Sequence, residues 1–476
     1  MNCYDIAVIG GGVVGAEIAR RLTDYSLKVA LIEKCADVAE GGASKANSGI
    51  VHAGFDCHVG TLKAKVNVLG SKMYPALCER LGVELINCGA LVVGREEDLL
   101  KIQALYDQGI ANGVEGLEIV GRDVIEKYLP TVHEDIKYAL HAKTSSIISP
   151  YYATIAMAEE AALNGCEFYF NSKVEKIERK DGVYEITAGD NVICAKAIVN
   201  AAGAGSAEIN KLVGAEEFPL RFARGEYMLL DLTEKNFAKC TIFPLPTKLG
   251  KGVLISPTVH GNIILGPTAI DCAADENVVS YEGLDYIRNN VAMMADNVNY
   301  RKNIRVFAGN RVISGDDFII EKSQKAENYI YLGGICSPGL SSAPAIALEV
   351  AKLVEELGFT LKENKNFIRR KPYKETRKMS DEELNALIKE DPSYGHIVCR
   401  CEKITEGEIL EAIRSPLHPD TVDGIKRRVR AGMGRCQGGF CMPTVMELIA
   451  KERNVPLSKV TKFGGNSVIV YDEEEK

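Results

Sequence analysis

Asp5-Ile6-Ala7-Val8-Ile9, followed at once by Gly10-Gly11-Gly12-Val13-Val14-Gly15, is the stretch that most narrows what this chain can fold into. The first five residues read as a buried parallel strand, the glycines turn the chain, and Ala16 to Thr23 reads as a helix. Gly10, Gly12 and Gly15 fit the G-x-G-x-x-G spacing: a tight turn, a close approach of backbone to a pyrophosphate, and helix packed on strand. The helix N-terminus offers unpaired N–H groups and a positive dipole end to phosphate. A second strand, Lys28 to Ile32, ends at Glu33, 18 residues past Gly15, where a carboxylate can accept ribose hydroxyls. Gly10, Gly12, Val14, Gly15, Glu33 and Lys34 are therefore candidate contacts to a dinucleotide. Against this stands a glycine-rich turn without a ligand, and the stretch alone does not separate FAD from NAD.

At 476 residues the chain has room for two or three domains. Its 46% hydrophobic and 26% charged residues are those of a soluble globular protein, and a net charge of -8 argues against nucleic acid as a partner. No apolar run reaches transmembrane length. The chain opens directly into its first strand, leaving no room for a signal peptide. The expectation is a cytoplasmic protein that meets a membrane only indirectly. Of 14 cysteines, ten are scattered (Cys3, Cys35, Cys57, Cys78, Cys88, Cys166, Cys194, Cys240, Cys272 and Cys336) and are read as small hydrophobes.

Between Gly41 and Gly54 the chain is dense in small and polar residues, suited to close backbone approach to a ligand. Helices are expected at Thr61–Leu81, Glu96–Asn112, Arg122–Tyr128, Tyr152–Asn164, Tyr281–Asn297 and Ala345–Leu357. Strands are expected at Gly89–Val93, across Glu167–Ala195, at Ala197–Asn200, and through much of 220–310, with a hairpin at Val253–Leu265. Ala201-Ala202-Gly203-Ala204-Gly205-Ser206 and Gly333 to Pro344 follow short buried strands, so each is another turn where backbone can meet a cofactor. The basic run Lys362 to Lys378 reads as a linker or solvated segment, or as a docking patch for a partner.

A chain that returns to its cofactor four times, with a β-rich piece interrupting, resembles the flavin-dependent amine and hydroxyacid oxidoreductases of the D-amino-acid oxidase superfamily. Asn47-Ser48-Gly49-Ile50-Val51-His52-Ala53-Gly54 closely resembles the segment of FAD-dependent glycerol-3-phosphate dehydrogenases and oxidases, and of L-2-hydroxyglutarate dehydrogenases. Arg224-Gly225-Glu226-Tyr227, Pro257 to Asn262, Gly266-Pro267-Thr268-Ala269 and Ser337-Pro338-Gly339-Leu340 match as well. The resemblance implies FAD, and adds Ala43, Ser44, Asn47, Ser48, Gly49, Val51, Val174, Ala202, Gly203, Gly334, Gly339, Leu340 and Ser341 as candidate cofactor contacts.

Further on, Cys399-x-Cys401 and Cys436-x4-Cys441 are separated by 34 residues. Four thiolates in two pairs suit a [2Fe–2S] cluster or a zinc ion. The pattern resembles the domain of bacterioferritin-associated ferredoxins, which implies the [2Fe–2S] cluster. Arg427, Arg428, Arg430 and Arg435 would then offset cluster charge, or form a solvated face. Flavin part plus cysteine part is the arrangement of the catalytic subunit of anaerobic-type glycerol-3-phosphate dehydrogenases. The expected fold class is α/β. A Rossmann-like FAD domain with an interleaved β-rich substrate domain spans 1–365 (FAD parts about 1–80, 146–215 and 305–365; substrate parts about 81–145 and 216–304). A linker at 366–395, a small helical cluster-binding domain with the four cysteines at 396–452 and a tail at 453–476 follow.

Oxidation of a secondary alcohol by a flavin needs a base for the hydroxyl proton and a cation for the anionic end of the substrate. His52 is the candidate base, against a structural histidine bonded to backbone. Arg311 is the candidate anion clamp, against an ion pair with Asp316 or Asp317, and Lys251 would add charge near the substrate, against a plain surface lysine. Tyr227 and His260 are weaker candidates to line the pocket. The activity so implied is oxidation of glycerol 3-phosphate to dihydroxyacetone phosphate, with electrons leaving through the cluster to an electron-accepting flavoprotein or other subunit. The alternatives are oxidation of an anionic 2-hydroxyacid or amine, and a non-catalytic electron-relay subunit.

Overall fold

A computed structural model describes residues 3–246, 252–274 and 276–471. The first strand, Cys3–Ile9, lies at the centre of a parallel array between Val29–Ile32 on one side and Asn191–Asn200 on the other. Glu167–Tyr169 extends the array beyond Val29–Ile32, and Tyr329–Gly333 runs parallel to the C-terminal half of Asn191–Asn200. The N-terminal half of that long strand instead pairs antiparallel with Val183–Ala188, which continues to Val174–Lys180. One strand thus joins the parallel core to the expected meander. The helices Val13–Thr23, Pro150–Leu163 and Gly339–Glu356 cover the sheet, and Ile6, Val8, Ile18, Leu22, Leu31, Val199, Ile330 and Ile346 are fully buried between the layers.

A second, nine-stranded sheet is assembled from two distant parts of the chain. Ala90–Gly94 runs parallel to Thr241–Pro244, which joins the hairpin Leu254–Pro257/Ile263–Gly266 to the strands Leu117–Gly121 and Tyr138–Ala142. Arg221–Leu230 and Asn303–Ile313 form its longest antiparallel pair. The α/β class and the β-rich second layer are those read from the sequence.

Three expectations change. The last flavin-side helix begins at Gly339, not Ala345, so Gly339, Leu340 and Ser341 form its first turn. Pro344 supplies no N–H to Leu340, and the Tyr74 hydroxyl donates to that carbonyl at 2.7 Å instead, which lets the helix run through the proline. Cys3 and Cys194, expected as small hydrophobes, lie opposite each other on neighbouring parallel strands and are joined as a disulfide. The basic run is not solvated throughout: Arg370 is 5% exposed, bonded to Glu159 at 2.6 Å and stacked on Tyr152 and Tyr373.

Beyond it, the helices Glu406–Ile413, Val422–Val429 and Met442–Arg453 pack around Ile409, Ile413, Ile425 and Ile449 as a separate small core. No helix among the described residues is long and apolar enough to cross a membrane.

Candidate flavin and cluster sites

The glycine turn is shaped by close approach. Gly10 has φ +111°, and a Cβ there would lie 2.6 Å from the Ala201 carbonyl oxygen; one on Gly15 would lie 1.9 Å from the Gly10 carbonyl oxygen. The Ser44 hydroxyl accepts the Val13 N–H at 2.9 Å, which brings the second loop onto the helix N-terminus offered to phosphate. Glu33 accepts from the N–H groups of Gly11 and Cys35 at 2.6 and 2.8 Å, so its carboxylate sits beside the turn. Lys34 next to it is exposed. Ser172 N–H reaches the Glu33 carbonyl, which brings the start of the Val174 strand to the same end, while Ala202 and Gly203 lie just beyond Ala201. Val14 packs partly buried on the first helix. The structure therefore gathers these expected contacts along one edge of the parallel sheet.

The loop carrying Ala43, Asn47, Ser48 and Gly49 is stitched by Asn47, whose amide donates to the Ala43 carbonyl and whose oxygen accepts the Gly49 N–H. It enters the buried bridge Ile50–Val51, then His52. The His52 N–H donates to Ser341 Oγ at 2.7 Å, and Ser341 Oγ donates to the Ile50 carbonyl, so the first turn of the last helix pins the candidate base. The His52 side chain is buried, its ring centroid 5.8 Å from that of Phe243 on the second sheet. Gly334, with φ +64°, folds the preceding turn against Ser314.

Arg311 stands on Asn303–Ile313, opposite Ala223. The ion pair set against it does not involve Asp317, which accepts the Leu62 and Lys63 N–H groups at 2.7 and 2.8 Å and so caps the second helix. Arg311 donates to the Thr268 carbonyl at 3.4 Å, and burial raises the Tyr227 pKa, with nearby Arg311 and Ser48 opposing the rise. Tyr227 in turn stacks on Phe307 at 4.8 Å. Gly309 lets the strand meet the loop, since a Cβ there would lie 2.2 Å from the Ala46 carbonyl oxygen. Tyr227 is named from its segment, but Phe307, Gly309 and Phe243 have no local motif, and only the fold reveals them as neighbours of His52 and the flavin-side loop. Lys251 lies outside the described residues.

In the C-terminal domain the four cysteines fall into two pairs. The Cys401 thiol donates to Cys436 Sγ at 3.5 Å. The Cys441 thiol donates to Cys399, which lowers the Cys399 pKa to about 6. Two thiolates on one tetrahedral metal with bonds of ~2.3 Å lie roughly 3.7 Å apart, so the first pair has the spacing of shared coordination. Backbone N–H groups of Gly432 and Glu402 point at the Cys399 sulfur, and those of Gly438, Gly439 and Phe440 at Cys436. Four thiols arranged as two pairs suit two metal centres with two thiolates each.

Of the nearby arginines, Arg427, Arg428 and Arg430 are buried rather than a solvated face, while Arg435 is exposed. Arg428 donates to both oxygens of Asp37 at 2.6 and 3.0 Å, and to Glu159. Arg427 bonds Asp37 at 3.0 Å and Glu40 at 3.4 Å. Glu159 also receives Arg370 and the Tyr373 hydroxyl. All these charged groups are at most 5% exposed, and they clamp the cysteine domain to the flavin domain. Burial opposes ionisation of Asp37, but Arg428 and then Arg427 hold its carboxyl below the usual carboxylate range. Arg430 turns inward to Glu402 at 2.8 Å, and Arg435 reaches Asp231 at 3.3 Å. Gln437, next to Cys436, accepts from Arg305 at 2.7 Å, on the strand that carries Arg311. A cavity of about 240 Å³ lies between the domains, lined by Lys45 to Gly49, Tyr151, His260, Phe307, Lys426 and Met433 among others. His260 faces it with its Nδ1 buried and without a partner, and burial with nearby Arg430 holds its pKa well below the usual histidine range.

Residues 5–353 match the family model for FAD-dependent oxidoreductases, and the chain belongs to that family. Residues 397–451 match the BFD-like [2Fe-2S] binding domain, so FAD and a [2Fe-2S] cluster are its cofactors. More particularly, the chain is 43% identical over 475 residues to the glycerol 3-phosphate dehydrogenase of Caloramator mitchellensis, covering 98% of each chain. It is 32% identical to the glycerol 3-phosphate oxidase of Mycoplasma pneumoniae over 74% of this chain and 95% of that one. The FAD-bound, dithionite-reduced L-alpha-glycerophosphate oxidase from the same organism superposes with a TM-score of 0.73 at 31% identity, covering 77% of this chain and 98% of that one. Human L-2-hydroxyglutarate dehydrogenase is 31% identical over 56% of this chain and 61% of its own length.

Proposed function

We propose that this protein is a glycerol-3-phosphate dehydrogenase, oxidising sn-glycerol 3-phosphate to dihydroxyacetone phosphate. The observation that carries the reading is the full-length likeness to a glycerol 3-phosphate dehydrogenase, cluster domain included. When bound, FAD would supply the acceptor for the C2 hydride, and the cluster would supply a one-electron route onward. His52 removes the proton from the C2 hydroxyl, its position fixed by Ser341 and its ring set against Phe243. Arg311 holds the phosphate, its guanidinium bonded to the Thr268 carbonyl at 3.4 Å. Gly10, Gly12, Gly15 and Ser44 hold the pyrophosphate, and Glu33 the adenosine ribose. Cys399, Cys401, Cys436 and Cys441 would hold the cluster, which would supply one-electron transfer to a separate acceptor protein in the cytoplasm.

Anaerobic titration of the purified protein tests the reading. Glycerol 3-phosphate should bleach the flavin absorbance near-completely, and L-2-hydroxyglutarate should not. Bleaching by L-2-hydroxyglutarate alone would make this a hydroxyacid dehydrogenase, and bleaching by neither would leave an electron-relay subunit.

A further inference from the structure

The two thiol pairs differ in exposure. Cys399 and Cys441 are 1% and 3% exposed, whereas Cys401 is exposed and Cys436 half-buried. A cluster spanning both pairs therefore has one buried end and one end at the surface. Phe440 stands in the loop between Cys436 and Cys441 and is 84% exposed. Its own backbone N–H is turned to the Cys436 sulfur, so the ring is carried on a short, fixed loop beside the outer pair. Arg400 and Lys403 flank Cys401, are exposed, and make no ion pair among the described residues. The acid between them, Glu402, is turned inward to Arg430 and Arg377. Arg435 adds a third exposed cation, shared with Asp231. On a chain of net charge -8 this is a local reversal of sign.

We propose that this face, Phe440 with Arg400 and Lys403 around the outer cysteine pair, is the docking surface for an acidic one-electron carrier protein. The inference rests on the reading that electrons leave through the cluster. An exposed aromatic beside exposed cations, on the loops that carry Cys401 and Cys436, is the composition of an interface hot spot and its steering rim. Electron transfer needs the carrier's redox group near the outer cluster end, and this is where the chain exposes that end. A basic carrier would be repelled by the same cations.

Binding of fluorescently labelled flavodoxin, an acidic carrier, tests this by anisotropy on the full-length holoprotein, with basic cytochrome c as the comparison. Flavodoxin should bind, more weakly as salt rises, and cytochrome c should bind less well. Phe440→Ala should weaken flavodoxin binding roughly tenfold or more. Arg400→Glu with Lys403→Glu should do the same and flatten the salt dependence. Visible absorbance of the cluster should be retained; if Phe440→Ala loses it, the charge-reversal variant decides. Unchanged flavodoxin binding in that variant, no flavodoxin binding at all, or tighter cytochrome c binding each overturns the proposal. Bleaching by glycerol 3-phosphate is read separately on the same samples. Its failure, with flavodoxin binding still dependent on these residues, would sink the substrate assignment and leave the docking surface standing.

Discussion

Replacing Asp37 by Ala should release the cysteine domain from the flavin domain without unfolding either. Asp37 lies one loop away from the glycine turn and is 1% exposed, and it accepts three short bonds from Arg427 and Arg428, themselves at most 5% exposed. Removing one partner of a buried ion pair leaves uncompensated charge and costs roughly 3–5 kcal/mol. Here two guanidinium groups lose a shared carboxylate, and Glu40 and Glu159 are left to hold Arg427 and Arg428. Since about 1.4 kcal/mol is a tenfold change in an equilibrium, the fraction of undocked domain should rise by a factor of roughly 10² to 4 × 10³. Hydrogen exchange at the Val422–Val429 helix measures it directly: protection there should fall by that factor, while protection of Cys3–Ile9 stays. Stopped-flow spectroscopy gives the functional counterpart. Bleaching of flavin by substrate should proceed at the wild-type rate, and subsequent reduction of the cluster should slow. FAD content serves as the control for damage to the neighbouring loop. Wild-type protection of Val422–Val429 in Asp37→Ala would refute the claim that this carboxylate clamps the domains.

Other consequences can be measured with the same samples. Arg311→Gln should raise KM for glycerol 3-phosphate by a factor of ten or more, at roughly 1.5–3 kcal/mol for a hydrogen bond to a charged group, with FAD retained; an unchanged KM would remove Arg311 from the phosphate site. Gly309→Ala forces a methyl into the Ala46 backbone and should cost roughly 1–3 kcal/mol with weakened FAD retention after gel filtration; wild-type FAD content would contradict the close contact. Burial raises the Glu40 pKa to about 7 from 4.5, with Arg427 opposing. A raised acid pKa stabilises the folded state below the unfolded pKa, and that contribution is lost as pH rises through about 7. Wild type should thus lose stability relative to Glu40→Gln between about pH 5 and about pH 8 in denaturant unfolding, by an amount of order 3 kcal/mol; parallel curves would refute the shift.

The glycine turn, the flavin-side loops and the paired cysteines were legible because each rests on local chemistry: a positive φ, a backbone approach, a thiolate spacing. The start of the last helix was not, because Pro344 reads as a helix breaker, and only Tyr74, 266 residues away from Leu340, removes the penalty. Arg427, Arg428 and Arg370 read as surface residues for a similar reason. Arginine is rarely buried without a partner, and their carboxylates sit hundreds of positions upstream. His52 could be named from its segment, but its support by Ser341 and Phe243 exists only where two sheets and a helix end meet. The Cys3–Cys194 bridge follows from a strand register that spacing alone does not encode.

The clamp also has a meaning for how the chain is made. Asp37 and Arg427 are 390 positions apart, so at roughly 5–20 residues per second a ribosome delivers the carboxylate about 20 to 80 seconds before its first counterion. During that interval the growing flavin domain carries Asp37, Glu40 and Glu159 in a patch that the finished protein keeps dry. The nascent flavin domain must leave that patch hydrated and open until a segment 390 positions further on closes it.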